Sequence, residues 1–461
     1  MVINMKVWKR LGTIAAAMLV VMAAMAGTAL AAEPEAPAIS VQLNGKMLAF
    51  SDAAPEASGE RTFVPLRAVM EAMDAQVDYD RATDTVTIHR GGVDLSMVPG
   101  ENRATVTEEG ESRVLEMDVS PYVKNDRTYV PVRFVAESFG CAVGWDQRAK
   151  TVIIVDVDAL LGDSTFTLMD SFSAYCSKQD RADNMTLSGT MDLEAKDKTG
   201  AYLTKPLSAQ GSIDGVVGDK GVQLAWKLKL SGLSELLTET ASPVEQALMQ
   251  QMMEALSDLK GDVRLDLEKN VVYWSLPAEL TGVSRDVWYS LDFSAYQAEL
   301  LGALDMTKLT QLEDAGIREV LSAIFQNMPL NDSETSYAAL AEIMDIYKAL
   351  LSDQAFTQKG NTYVAQMRQE DMMDMTVTLT KRGNDIVSAD IEMSCDVAEG
   401  STRAVITMTE HAAPDKVTVD MGMSVEDEDM DVTVKLNLTG VPAGKAPVTA
   451  PPAGAEIIPV S

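Results

Sequence analysis

A set of charged side chains occurs twice in this sequence at one constant spacing. Guanidinium and carboxylate groups together bind polar ligands through paired, charge-assisted hydrogen bonds. Placed one turn apart on a helix, an arginine and a glutamate instead form a surface pair that contributes only about 0.2–0.5 kcal/mol. The structural interpretation of the motif is favoured and a binding role stays open for its six members, which are Arg61, Arg67, Glu71, Arg127, Arg133 and Glu137.

Histidine and cysteine, the side chains most often used by catalytic and metal sites, are scarce. Only His89 and His411 occur, so the commonest general base near neutral pH is almost missing. Cys141, Cys176 and Cys395 allow at most one disulfide and form no Cys-x-x-Cys pair for zinc. No glycine-rich phosphate loop, nucleophile elbow or metalloprotease helix motif occurs. The sequence predicts a protein that is not an enzyme and has no cofactor or metal.

The charged set lies in a repeated unit of strand, helix and two further strands. A short β run ends at Pro65 or Pro131, and proline suits the first turn of a helix. Apolar residues then recur at helical spacing, as Leu66, Val69, Met70 and Met73 and as Val132, Val135, Ala136 and Phe139. The pattern predicts an α+β domain over residues 38–157, with repeats at about 39–90 and 105–156.

The strands of both repeats carry aromatic residues. Such rings line many carbohydrate and peptide grooves, but alternation along a strand favours burial in the core. We therefore expect core positions for Phe63, Tyr79, Tyr129 and Trp145.

The repeated segment Arg-Thr-Phe/Tyr-Val-Pro-Leu/Val-Arg, beginning at Arg61 and Arg127, resembles the copper amine oxidase N-terminal domain family. The resemblance covers residues 38–157 and implies an accessory domain of secreted and cell-surface proteins of Gram-positive-type bacteria, without chemistry of its own. Oxidase chemistry needs three imidazole copper ligands and a tyrosine-derived quinone. Two histidines and no Asn-Tyr dipeptide exclude that activity here.

The beginning of the chain has the pattern of a secretory signal. Lys6, Lys9 and Arg10 precede an apolar run that ends in the small-residue cleavage pattern Ala29-Leu30-Ala31. We predict a signal peptide at residues 1–31, a secreted and cell-surface-associated product, and no transmembrane segment after cleavage. The formal net charge of −31 argues against nucleic acid as a partner.

Residues 165–440 show long alternating strands, typical of an antiparallel sheet with one wet face. Predicted helices cover this sheet over Pro243–Leu259, Tyr296–Gln326 and Ser336–Leu351. The order of elements loosely resembles the curved-sheet fold of LolA-type lipoprotein carriers. The 28 methionines suit either a flexible apolar cavity or ordinary core packing, which is favoured. The acidic run 426–431 is interpreted as a charged turn rather than a calcium site, and residues 441–461 as a flexible tail.

The fold class predicted is α+β, with a small duplicated domain followed by a larger antiparallel curved-sheet domain with covering helices. The function predicted is a secreted surface protein that binds or scaffolds a cell-envelope component or another surface protein. The alternative is a carrier or sensor of an apolar ligand held under the helices of the second domain.

Overall fold

A computed structural model describes residues 39–59, 61–108, 110–179, 184–200, 205–218, 220–232, 257–276, 287–293, 315–369 and 373–460. These residues are mostly β-sheet, with which the predicted α+β class is broadly compatible. The expected signal peptide lies outside them. No described helix is long and apolar enough to span a membrane.

Each repeat contains a strand, a short helix and a hairpin, in the order that the sequence predicts. The first consists of β4 (Arg61–Pro65), α1 (Leu66–Ala72), β5 (Gln76–Asp80) and β6 (Thr85–Arg90). The second consists of β11 (Arg127–Pro131), α2 (Val132–Ser138), β12 (Cys141–Asp146) and β13 (Thr151–Asp156). A proline ends the first strand in both copies, and one face of each helix is buried, as the apolar spacing requires.

The two repeats meet at a central antiparallel sheet. Its strand order is β10-β11-β4-β3, where β3 is Glu56–Ser58 and β10 is Tyr122–Lys124. Val64 lies opposite Val130, its counterpart in the other repeat. Equivalent residues that face each other define a pseudo-twofold axis, so a side chain of one repeat reaches groups of the other.

Two outer sheets flank the central sheet, and in one of them a hairpin that precedes the first repeat pairs with a strand of the second. Strands β5 and β6 continue into β7 (Val93–Met97), β8 (Arg103–Glu108) and β9 (Glu111–Glu116). The N-terminal hairpin of β1 (Ser40–Leu43) and β2 (Lys46–Met47) turns at Asn44-Gly45, where both residues have positive φ. Strand β1 runs parallel to β13 of the second repeat. The hairpin that precedes the first repeat thus completes the sheet of the second.

Arg90 joins both repeats near the pseudo-twofold axis. Its Nε donates to the Met73 carbonyl at 2.9 Å and its Nη1 to the Phe139 carbonyl at 3.2 Å, the C-cap residues of α1 and α2. Its Nη2 pairs with the carboxylate of Asp156, 66 residues along the chain and the equivalent position in the second repeat. One guanidinium therefore caps two helices and neutralises a buried carboxylate.

The second repeat is buried on both faces of its outer sheet. Every residue of β13 is buried. Ile154 belongs to the core between the repeats, whereas Ile153 and Val155 belong to a second core formed with later helices. Strand β13 leads directly into α3 (Val157–Leu161). The two cores therefore share one sheet instead of being separated by a free linker.

The loop at residues 330–333 attaches this sheet to the later part of the chain. The Trp145 amide donates to the Leu330 carbonyl at 3.0 Å. Asp146, only 2% exposed, accepts from the Ser333 amide at 2.9 Å and the Ser333 hydroxyl at 2.7 Å. It also accepts from the amides of Arg148 and Ala149. Asp146 is thus both the turn-forming residue of its hairpin and the anchor of the loop.

The Asp146 contact is expected to weaken in acid. Burial alone would raise the pKa of Asp146, but its hydrogen bonds from Ala149, Ser333 and Arg148 outweigh burial and hold that pKa below its ordinary value. A lowered folded-state pKa gives stability that is present above the unfolded value of about 3.9 and is lost as pH falls through the folded value. We expect the protection factor of the Ser333 amide, obtained by mass spectrometry after correction for the intrinsic pH dependence of exchange, to fall below about pH 4. The protection factor in Asp146→Asn should not change over this range. Identical pH profiles in both proteins would contradict this.

A fourteen-stranded sheet forms the rest of the described chain, in the order β20-β21-β22-β23-β24-β25-β26-β14-β15-β16-β17-β18-β19-β27. Alternation of half-buried and exposed residues is clear in β14 and β16, as an antiparallel sheet with one wet face requires. Its strands are β14 (Asn184–Asp197), β15 (Leu207–Gly218), β16 (Gly221–Ser231), β17 (Leu259–Asp266), β18 (Val271–Leu276), β19 (Val287–Asp292), β20 (Thr357–Lys359), β21 (Thr362–Gln369), β22 (Met373–Arg382), β23 (Asp385–Glu399), β24 (Thr402–Ala413), β25 (Lys416–Glu426), β26 (Met430–Ala443) and β27 (Ile457–Val460).

Helices pack on one half of this sheet. They are α4 (Thr167–Gln179), α5 (Ile317–Gln326) and α6 (Ser336–Leu351); α6 has the predicted bounds, and α4 was missed. The predicted helix Pro243–Leu259 lies largely outside the described residues, but its last residue, Leu259, begins β17. The predicted helix Tyr296–Gln326 is described only from residue 315, and α5 begins at Ile317.

Methionines in the described strands fill the core. Met373 and Met375 are 7% and 3% exposed, and Met367 packs against the same core. Met249, Met252, Met253 and Met372 lie outside the described residues. For the methionines of β21 and β22, ordinary packing is therefore the better interpretation.

The acidic run 426–431 agrees with its prediction, whereas the tail at residues 441–461 does not. The acidic run is a hairpin turn between β25 and β26, where Asp427 Oδ1 accepts from the amides of Asp429 and Met430. The tail, expected to be flexible, instead lies along the sheet: Arg264 donates to the Ala450 carbonyl at 2.9 Å, and β27 pairs in parallel with β19. Main-chain pairing holds this proline-containing segment, a contact that composition does not encode.

Candidate binding groove between the repeats

A groove of about 990 Å³ lies between the central sheet and the second repeat. One wall comes from β3, β4 and residues 116–118, and the other comes from α2, β12 and the start of β13. Its charged and aromatic lining residues are Arg61, Glu116, Asp118, Arg133, Phe134, Glu137, Trp145 and Lys150. Both repeats therefore contribute side chains to a single concave surface.

Two ion pairs stand in the groove. Arg61 Nε and Asp118 Oδ2 are 2.5 Å apart, with side chains 49% and 53% exposed. Arg133 Nη1 donates to Glu137 Oε1 at 3.2 Å and to the Val143 carbonyl at 2.8 Å. Exposed pairs such as these contribute at most about 1 kcal/mol to stability. Their groups present donors and acceptors together, at solvent-accessible positions where a ligand can meet them.

Aromatic side chains form the apolar part of the groove. Trp145 and Phe134 are half-buried, and both pack against the core between the repeats. The Trp145 indole Nε1 donates to Gln147 Oε1 at 2.7 Å. Each ring is therefore held by its neighbours while part of its surface borders the groove.

Only part of the six-residue motif lines this groove. Arg61, Arg133 and Glu137 are brought together there. Arg67, Glu71 and Arg127 occupy the equivalent positions across the pseudo-twofold axis. Arg67 Nε lies 3.8 Å from Glu71 Oε1, and both Arg67–Glu71 and Arg133–Glu137 are the helix pairs that the spacing predicts.

The acidic partners of the two leading arginines were not assigned a role from the sequence. Arg127 donates to Asp52 at 2.9 Å and 2.5 Å, and its hydrogen bonds and charge hold the pKa of Asp52 below its ordinary value. Arg61 pairs with Asp118 in the same way. Each arginine therefore contacts the acid of the other repeat. The signal was the recurrence of Asp52 and Asp118 at the same spacing as the arginines.

The equivalent surface of the first repeat has diverged. Tyr79, 48% exposed, stands where the second repeat has Trp145, and its hydroxyl bonds to Asp84, the counterpart of Lys150. Ala68 replaces Phe134, and Asp78 replaces Gly144. This surface is more acidic than the groove.

The expectation of buried aromatic residues is met at two of four positions. Phe63 and Tyr129 are 3% and 5% exposed. Tyr122 stacks on Tyr129 with centroids 5.3 Å apart; burial, together with its bond to Glu56, raises the pKa of Tyr122. Tyr79 is exposed and Trp145 borders the groove; each lies one residue before the end of the first strand of its hairpin, next to the turn.

The histidines do not form a copper site. His89 Nδ1 lies 2.7 Å from Asp94 in the sheet of the first repeat. His411 Nδ1 lies 2.6 Å from Asp390 in the fourteen-stranded sheet. The only two imidazoles of the chain thus belong to different sheets, each bonded to a carboxylate, and cannot supply three copper ligands.

Residues 42–154 match the family model of the copper amine oxidase N-terminal domain. This match confirms the resemblance carried by the repeated motif. The matched segment is the part of the chain that builds the groove.

A curated relative matches about a quarter of the chain. It is a "Protease inhibitor" from Brevibacillus choshinensis, 30% identical over 121 residues, which are 26% of this chain and 35% of the relative. The chain thus spans about a third of the length of the curated relative it matches.

Two solved structures have a distant likeness to this chain. A structure titled "Lipid-protein interactions in lipovitellin" has a TM-score of 0.18 and 8% identity, over 59% of this chain and 26% of that one. Ail, the attachment invasion locus protein of Yersinia pestis, has a TM-score of 0.12 and 7% identity, over 56% of this chain and 98% of that one. Scores this low do not indicate a shared fold.

Proposed function

We propose that this chain is a secreted, non-catalytic binding or scaffold protein of the bacterial surface, and that the groove contacts a component of the cell envelope or another surface protein. The observation that carries the proposal is the groove itself, which combines exposed ion pairs with half-buried aromatic rings. Few, well-placed polar groups beside apolar surface are typical of binding sites. The accessory character of the matched domain supports the same role.

Envelope binding is tested by sedimentation of the mature secreted protein with envelope fragments of the secreting strain. Arg133→Glu breaks the pair with Glu137 inside the groove, and we expect binding to weaken about tenfold. Arg67→Glu makes the same change on α1, outside the groove, at a side chain that is 62% exposed, and should leave binding unchanged. Equal losses in both variants would reject the groove as the contact. Failure of the wild-type protein to sediment would reject envelope binding itself.

A protease is another kind of surface partner for the same groove, because the Brevibacillus choshinensis relative is named as a protease inhibitor. Residual activity of secreted proteases after incubation with the mature protein tests this. Inhibition that Arg133→Glu abolishes and Arg67→Glu does not would identify the groove as the inhibitory surface.

A second candidate function is transport or sensing of an apolar ligand. The observation that favours it is the apolar face of the large sheet, which continues past the helix-covered core. Met408 belongs to that core and pairs with Met421 on the next strand. Leu436 pairs with Met421 on one side and with Met191 on the other. Because directly paired residues point to the same side of a sheet, these four side chains share one face. Native mass spectrometry of the secreted protein, followed by lipid extraction, tests it. A stoichiometric apolar molecule would support the carrier, and a ligand-free mass would contradict it.

A further inference from the structure

We infer that the groove between the repeats takes a neutral, hydroxyl-rich polymer, namely a polysaccharide chain, an inference that rests on the proposed envelope-binding function. The groove belongs to the second repeat and to the edge of the first. Its charge balance, its aromatic surface and its lack of an open strand edge each indicate this chemical class.

The charges of the groove cancel. Among the described lining residues, three are basic and three are acidic, namely Arg61, Arg133, Lys150, Glu116, Asp118 and Glu137. An anionic polymer would be drawn to a surface with net positive charge, and a cationic one to a net negative surface. A hydroxyl group both donates and accepts, so it bonds equally well to a guanidinium and to the carboxylate beside it. Paired charges of opposite sign therefore suit hydroxyls better than either kind of ion.

The aromatic rings supply the other half of sugar recognition. A pyranose ring has an apolar face of C–H groups that packs against the electron-rich face of an aromatic side chain. Trp145 and Phe134 border the groove while the core behind them fixes their positions. Rings that are already held lose little conformational entropy when a ligand packs against them.

A peptide bound as an added strand does not fit the described groove. Strand addition needs a long open edge with unpaired main-chain groups. The outer edge of β12 is occupied, since the Trp145 amide donates to the Leu330 carbonyl at 3.0 Å. The edge strand β3 has only 3 residues, and the edge strand β9 reaches the groove only with its last residue, Glu116. Side-chain contacts from ion pairs and rings thus remain the means of recognition.

The first repeat provides a built-in comparison. At the equivalent surface, Tyr79 replaces Trp145, Ala68 replaces Phe134 and Asp84 replaces Lys150. That surface lacks a second ring at the Phe134 position, and its charge is no longer balanced. The polysaccharide is therefore expected to bind only in the groove that Trp145 lines, and not at the equivalent surface of the first repeat.

The experiment measures binding of the full mature protein to envelope fragments after three separate treatments. Periodate cleaves the diols of sugar rings, protease digestion removes proteins, and hydrofluoric acid removes phosphate-linked anionic polymers. We expect periodate to weaken binding about tenfold or more, and the other two treatments to leave it unchanged. Loss after protease digestion would indicate a protein partner. Loss after hydrofluoric acid, without binding to the neutral polymer that the acid releases, would indicate an anionic polymer; both outcomes overturn the inference. Binding that survives all three treatments and also hydrolysis of glycosidic bonds in hot dilute acid, which attacks sugars without vicinal diols too, overturns it as well.

Variants connect the polymer to the groove. Trp145→Ala should weaken binding to untreated fragments about tenfold, and Trp145→Phe, which keeps a ring, should recover most of it. Tyr79→Ala, the same truncation in the first repeat, should leave binding within about twofold of wild type. Circular dichroism establishes that each variant is folded. Equal losses from Trp145→Ala and Tyr79→Ala would contradict the assignment to this groove. Wild-type protein that does not bind untreated fragments refutes the proposed function, an outcome distinct from a wrong polymer class.

Discussion

Replacement of Arg90 by alanine is expected to destabilise the duplicated domain by about 3–5 kcal/mol. The Arg90 and Asp156 side chains are only 18% and 6% exposed. Removal of the guanidinium leaves the Asp156 carboxylate buried without its cation. It also removes the donors to the carbonyls of Met73 and Phe139, which cap both helices. One truncation therefore affects both repeats.

Chemical unfolding followed by tryptophan fluorescence measures this loss. Arg67→Ala is the matched control, because it also removes an arginine with an acidic partner, but one that is 62% exposed; we expect a change below about 0.5 kcal/mol. The double variant Arg90→Met with Asp156→Asn removes both charges, keeps the side-chain oxygen that accepts from the Ala159 amide at the start of α3, and should recover much of the loss. A cost for Arg90→Ala no greater than that for Arg67→Ala would show that the pair does not hold the repeats together.

Local patterns made the elements of the repeats predictable, whereas their pairing was not. Helix α1 follows from Pro65 and the spacing of Leu66, Val69 and Met70, because short-range sterics and burial of one face decide it. Pairing of β1 with β13 joins residues more than a hundred positions apart, such as Val41 and Val152. Nothing in either strand specifies its partner, since both read simply as apolar β-strands.

The sequence predicted which residues could form the candidate site, but only part of their spatial arrangement. The repetition of Arg61, Arg133 and Glu137 identified them, and the helix pair Arg133–Glu137 follows from a spacing of one turn. The pseudo-twofold axis brings Arg61 of one repeat to Asp118 of the other. That contact depends on Val64 lying opposite Val130, a register that only the assembled central sheet defines.

In the large sheet, too, the strands could be predicted from local sequence patterns, whereas the pairing of distant strands could not. Alternation predicted its strands because one face is wet along each of them. The pairing of β14 with β26, and that of the tail strand β27 with β19, join distant segments through main-chain bonds. Main-chain bonds carry no side-chain signature, so a tail rich in proline and alanine resembled a flexible one.

Substitution of Gly144 by alanine is expected to separate the second repeat from the loop at residues 330–333. A Cβ at Gly144 would lie 2.0 Å from the Leu330 carbonyl oxygen and 2.3 Å from the Leu330 Cβ. Backbone cannot move aside as a flexible side chain can, so the loop must leave. The Trp145 amide then loses Leu330, and Asp146 loses both bonds from Ser333. We expect a loss of about 3 kcal/mol in unfolding free energy.

Hydrogen exchange locates the effect, because the amides of Trp145 and Ser333 should lose protection while those of the central sheet keep it. Asp78→Ala is the matched control, at the equivalent position of the first repeat, where the side chain is exposed; its cost should stay within about 0.5 kcal/mol. Unchanged exchange of Trp145 in Gly144→Ala would mean that the loop does not depend on this close approach. The expected result would show that absence of a side chain at one position lets the duplicated domain share its sheet with a second core.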